Sequence, residues 1–286
     1  MLTFRKTRTI GICLGLALAC LAPAARAMDE LTDLLEIDPA KFSRPTIIDN
    51  KWLPLKPGTL TEYTGTTVND EGERQPHRIV SVVTDLVKKI NGIDVVVIWE
   101  RDIADDILQE AELTFFAQDD DGNVWHFGQY SEGYDGTEFL GGMGWMVGHL
   151  DGAKGGIMMQ ADPKMGTPSY SEGYGPPPFN WTDRGQVSKM GEKVKVPVGS
   201  YDDVLVIEEW SLEEAARGAS QFKYYAQGVG NIKVGFGGDD VKKELLELTR
   251  FEQLSPEQLE EAHAEALKLD ARSYIYGSTE KARRRQ

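Results

Sequence analysis

If this chain carries a site, the first residues to weigh are two glutamates in identical settings. The pentapeptide YSEGY occurs at Tyr130–Tyr134 and again at Tyr170–Tyr174. Were the copies side by side, Glu132 and Glu172 would sit among Tyr130, Tyr134, Tyr170 and Tyr174. Two carboxyls ringed by phenols can hold a cation, a sugar or an amine. They can also serve as the acid and base of glycoside hydrolysis. The plainer expectation is two Gly-Tyr turns flanking one loop, since tyrosines often simply cover a sheet edge. Five residues are too few to establish a structural duplication.

A second acidic cluster, Asp119-Asp120-Asp121-Gly122-Asn123, invites a calcium assignment. With Gly122 at the sixth position of an EF-hand loop, the first and twelfth positions fall on Ala117 and Gly128. Neither offers a side-chain oxygen, so that loop fails. A different cation site would use Asp119, Asp121 and Asn123. The expectation held here is a hairpin turn in which these side chains bond to nearby backbone. The four histidines, His77, His126, His149 and His263, form no HxH or HExxH spacing. His126 sits between Trp125 and Phe127 as a packed or edge residue. No G-x-S-x-G elbow, phosphate loop or dinucleotide fingerprint occurs, so no cofactor is expected.

These residues need a compartment and a scaffold. Arg5, Lys6 and Arg8, the apolar run Ile10–Leu21 and Ala25-Arg26-Ala27 read as a secretory signal cleaved after Ala27. Anchoring at Cys20 is the lipoprotein alternative, with Ala17 where the usual leucine belongs. Both cysteines, Cys13 and Cys20, lie inside the signal, so the mature chain forms no disulfide. The charge of −15 becomes −19 once Arg5, Lys6, Arg8 and Arg26 are removed with no acidic residue. Such a surface argues against nucleic acid and anionic lipid as partners, both of which need Lys and Arg. No later stretch is long enough to cross a membrane as a helix. A periplasmic or secreted protein follows.

Residues 28–58 are expected to form an arm or short helix and a loop. Residues 59–254 read as an antiparallel β domain: Thr59–Val68, His77–Val87, Ile93–Glu100 and Ile107–Gln118 follow one another with short turns. Val95, Val97 and Trp99 alternate with Val96 and Ile98, so the third strand is apolar on both faces and central. Asp121-Gly122 reverses the chain into a second hairpin arm. Residues 131–181, rich in Gly, Tyr, Met and Pro, are expected to form a long loop with a short strand at Gly156–Gln160. Strands resume at Gln186–Met190, Lys193–Val198, Asp203–Ser211, Phe222–Ala226, Gly230–Phe236 and Val241–Phe251. A final amphipathic helix over 255–271 has Ser255 as its cap, Pro256 at its first position and Gln258 closing a capping box. Residues 272–286 are expected to be a solvated basic tail. The fold class is mainly β: one antiparallel curved sheet, half-barrel or sandwich, with a C-terminal amphipathic helix.

At Phe116–Gly128, FAQDDDGNVWHFG, the chain resembles a group of exported bacterial proteins with a YAQDxxGNVWYFGE-type segment. Further matches fall at Ile48–Thr59, Asp151–Gly166, Val196–Glu209 and Lys223–Lys233, in order. The resemblance implies an exported, β-rich protein and supplies no catalytic residues. Three functions stay open. One is a non-catalytic binding protein holding an apolar or amphipathic ligand beneath the Gly/Met-rich stretch, with Trp145 and Met158 joining the four tyrosines as contacts. The others are a hydrolase using Glu132 and Glu172, and an envelope scaffold whose C-terminal helix and tail meet a partner.

Overall fold

A computed structural model describes residues 34–149, 152–274 and 280–285. The segment read as a secretory signal, with Cys20 and the expected cleavage position, lies outside the described residues.

Strand follows strand by short reversals: β1 (Thr59–Val68), β2 (Arg74–Ile90), β3 (Ile93–Ala104), β4 (Ile107–Gln118), β5 (Val124–Asp135) and β6 (Glu138–Met146). Asn91-Gly92 and Asp105-Asp106 both have positive φ, the conformation that two-residue hairpin turns require. After β7 (Lys154–Met159) come two short pieces, β8 (Tyr170–Ser171) and β9 (Gly173–Tyr174). A second run follows: β10 (Arg184–Val196), β11 (Gly199–Trp210), β12 (Ala219–Ala226), β13 (Gly230–Gly238) and β14 (Leu245–Gln253). The sheet has 15 strands, and β1 lies between β14 and β2, joining the two runs. Its pairings are antiparallel, as the sequence predicts.

This sheet curls far enough for its two ends to share one segment. β8 pairs with β10 and β9 pairs with β7, and only Glu172 separates β8 from β9. Close backbone approach makes that junction possible. A Cβ on Gly156 of β7 would lie 2.1 Å from the Gly173 amide nitrogen, so no larger residue fits there.

Each face of the sheet has its own core. On one face Leu86, Val95, Val97, Leu113, Phe115 and Phe127 pack with Ala266 and Leu269 of the helix α2 (Pro256–Ser273). On the other, Val83, Ile98, Phe116, Leu205 and Ile207 pack beneath Trp52 and Leu55. Val95 and Val97 are fully buried, and Val96 and Ile98 lie in the opposite core, which is what a central strand apolar on both faces must do. Helix α2 begins at the Ser255–Gln258 capping box.

Several expectations are corrected. Residues 131–181 are not one loop broken by a single short strand: β5 runs to Asp135 and β6 follows, while β7 falls where the short strand at Gly156–Gln160 is expected. Their glycines allow close strand packing, a role that composition cannot distinguish from a loop. The segments Gln186–Met190 and Lys193–Val198 form a single bulged strand, β10. A short helix, α1 (Leu212–Arg217), was not foreseen, although Ser211 and Glu214 make a full capping box and Gly218 ends it with φ 69°. The C-terminal tail is not solvated throughout. Its β15 (Arg283–Arg284) pairs with β2, Ala282 is buried, and Arg283 bonds Asp94 at 2.7 Å.

Candidate functional site

The second core is incomplete. Between its apolar side chains and the strands above them lies a cavity of about 320 Å³. Leu53, Leu55, Val83, Ile98, Phe116 and Met158 form its apolar part. The polar part is set by sheet register. Thr61, Ser81, Glu100, Glu112 and Ser131 stand opposite one another across β1 to β5, and the first four line the cavity.

Glu100 and Glu112 are therefore a direct cross-strand pair of like groups, an arrangement that repels when both are charged. Burial, with Asp102 and Glu110 nearby, pushes Glu100 up to about 7 even though Ser81 bonds it. Burial and the two neighbouring glutamates push Glu112 well above the usual carboxylate range. The two carboxyls hydrogen-bond each other, so they hold a proton between them at neutral pH. Glu112 also accepts from Gln129 Nε2 at 3.1 Å and Ser131 Oγ at 3.0 Å.

The cations near this row are already engaged. His77 lies between Asp102, 2.8 Å away, and Glu244, 3.0 Å away. Burial alone would lower its pKa, but those two carboxylates outweigh burial and raise it to about 9. Lys223 is 2.5 Å from Glu209. Burial opposes its charge, yet the Glu209 carboxylate beside it holds it protonated.

His126 also lines the cavity, stacked on Phe116 at 5.0 Å and edge-on to Trp145 and Trp181. It is 2% exposed, and neither ring nitrogen makes a hydrogen bond of good geometry. Burial lowers it to about 4, against the weak pull of the Glu172 and Gly128 carbonyls, so the ring is neutral.

The residues singled out from sequence are dispersed. Glu132 is fully buried and held by Arg272 of α2, at 2.6 and 2.7 Å, with Tyr130 and Tyr134 donating to it. Glu172 is also fully buried, but its neighbours are Tyr170, Glu209, Lys223 and Asp183. Gly185 leaves the room: a Cβ there would lie 2.7 Å from Glu172 Oε1 and 2.9 Å from the Tyr170 hydroxyl. The two glutamates thus have no partner in common. Tyr130, Trp145 and Tyr170 are core residues with Tyr134 packed against them, and Tyr174 is half-buried. Of the six expected contacts, Met158 alone lines the cavity.

Asp119 closes its own turn, accepting from the Asn123 amide, the Asn123 side chain and the Trp125 indole. Asn123 in turn accepts from the Ala161 amide, while Asp121 is exposed and 3.6 Å from Lys41. This is the hairpin-turn arrangement, stabilised through side chain to backbone bonds.

No family model and no curated protein matches the chain. Two solved structures align with it. One, from Bacteroides fragilis, is described as exported with a YmcC-like fold; it is 11% identical, with a TM-score of 0.40, covering 71% of this chain and 99% of that one. The other, from Parabacteroides distasonis, is described as a lipoprotein; it is 12% identical, with a TM-score of 0.38, covering 71% and 100%. Among the described residues, no helix is long and apolar enough to cross a membrane.

Proposed function

We propose that this is an exported, non-catalytic binding protein that holds one small amphipathic ligand in the cavity beside β1 to β5. One observation carries this reading: a space of about 320 Å³ with an apolar cluster on one side and a row of polar side chains on the other. That volume is at the small end of known ligand sites and suits a molecule of modest size. Export rests on the charged, apolar and A-x-A regions of residues 1–27. A hydrolase built on Glu132 and Glu172 finds no support in their separate surroundings. A scaffold role for the C-terminal helix is weakened because α2 spends its apolar face on the sheet.

The test is saturable uptake of the neutral dye N-phenyl-1-naphthylamine, followed by its fluorescence, together with native mass spectrometry of the purified chain. One dye per chain is expected, with weaker uptake in Ile98→Trp, whose larger side chain fills the space. Non-saturable dye binding and a bare protein mass would overturn the proposal.

A further inference from the structure

The cavity's polar side has a sign as well as a shape. Glu100 and Glu112 face each other on adjacent strands, with Asp102 and Glu110 forming the next cross-strand pair along β3 and β4. Facing them from other elements are Tyr63 on β1, Ser81 and His77 on β2, Gln129 and Ser131 on β5, Lys223 on β12, and Glu244 just before β14. His77 and Lys223 already have carboxylate partners. Among the described residues, no cation on the cavity wall is left over for an anionic ligand. A carboxylate or phosphate headgroup would meet the Glu100–Glu112 pair with nothing to offset the repulsion.

His126 lies on the same wall but at its apolar end. The β4–β5 register pairs it with Phe116, four residues along from Glu112, and its ring stacks on Phe116 with its nitrogens toward the Glu172 and Gly128 carbonyls.

We propose that the ligand's polar end is a protonated amine, seated on the Glu100–Glu112 pair, while its apolar body lies on Ile98, Phe116 and Met158. This rests on the cavity being a binding site. In the empty site the two carboxyls share a proton. An ammonium group takes that proton's place, the proton leaves to solvent, and the ligand bridges both carboxylates through charge-assisted hydrogen bonds. Binding therefore strengthens as pH rises through about 7, where Glu100 gives up its proton. Over that range His126 stays neutral and His77 stays charged, so neither reverses the trend.

Isothermal titration calorimetry of the full exported chain against octylamine, octan-1-ol and octanoate separates the possibilities. At pH 8, octylamine is expected to bind about tenfold tighter than octanol, a preference of the size charge-assisted bonds give, with octanoate weakest. At pH 5.5 the octylamine advantage should shrink. In Glu100→Gln and in Glu112→Gln, the ratio of octylamine to octanol affinity should fall from about ten to about one. Octanol or octanoate binding as tightly as octylamine would overturn the amine assignment and leave the binding reading standing. So would an undiminished preference in both variants. If none of the three binds, the cavity reading fails and the amine assignment fails with it. The wild-type ligand and pH series decides the matter even if a variant does not fold.

Discussion

The two YSEGY copies have the same five residues and opposite fates. At Tyr130–Tyr134 the glutamate lies on β5 between β4 and β6 and is held by Arg272 of α2. Burial alone would raise its pKa, but Arg272 and the two tyrosine hydroxyls overcome that and hold it below the usual carboxylate range. At Tyr170–Tyr174 the glutamate sits where the two ends of the sheet share a segment. There, burial and the charge of Glu209 push it well above that range, with Lys223 only partly opposing. Neither of its oxygens has a hydrogen-bond partner. One copy is an ion-pair anchor and the other a neutral plug. Local sequence chose the side chain, and the neighbouring strands chose its charge.

The sharpest break of this contrast is Arg272→Ala, which leaves Glu132 buried without its cation. Removing one partner of such a pair should lower stability by about 3 kcal/mol, read from urea unfolding. Equal stability in the variant would show that Glu132 needs no counter-charge. Next in size is Tyr134→Phe, which deletes one hydrogen bond to Glu132 and should cost about 1 kcal/mol.

Glu172→Gln replaces a group already uncharged in the fold, so at pH 5 its effect should stay within about 1 kcal/mol. Its pH dependence is the more telling quantity. A raised folded pKa means the wild-type contribution is complete below the ordinary carboxylate range and is lost as pH rises through the folded value. Melting temperatures should therefore favour Glu172→Gln more at pH 8 than at pH 5. Glu132 carries the opposite sign: its contribution is complete above the ordinary carboxylate range and is lost as pH falls through its lowered folded value. Glu132→Gln should accordingly cost more at pH 7 than at pH 3, and parallel pH profiles for the two variants would dissolve the contrast. The smallest effect belongs to Tyr170→Phe. That hydroxyl has no partner, and its loss should change the midpoint hardly at all.

Much of the scaffold was legible. The doubly apolar β3, the Asp121-Gly122 reversal and the Ser255 cap each have a local physical cause that a sequence displays. The cavity's acid pair did not, and the reason is one residue of register. β3 and β4 start out paired as Ala104 with Ile107 and Ile103 with Leu108, then slip at a bulge so that Asp102 faces Glu110. Without the slip, Glu100 would face Ala111, and Glu112 would point to the other side of the sheet. Nothing local announces that bulge. The carboxylates singled out instead, Glu132 and Glu172, drew notice through repetition, which says nothing about what lies across the sheet.

The position of β1 has a consequence for the order in which this molecule assembles. Thr59 pairs with Gln253, so the first strand gains one of its two neighbours only when β14 is present. Lys88, fully buried, bonds Asp270 at 2.6 Å and the Glu280 carbonyl at 3.1 Å, groups from the far end of the chain. Contacts this distant in sequence are slow to form. A chain that emerges N-terminus first must keep β1 half-paired and Lys88 without its counter-ion while some two hundred residues follow. Until β14 and the Asp270–Glu280 stretch are in place, the sheet cannot close around β1 and Lys88. Closure waits on residues far along the chain.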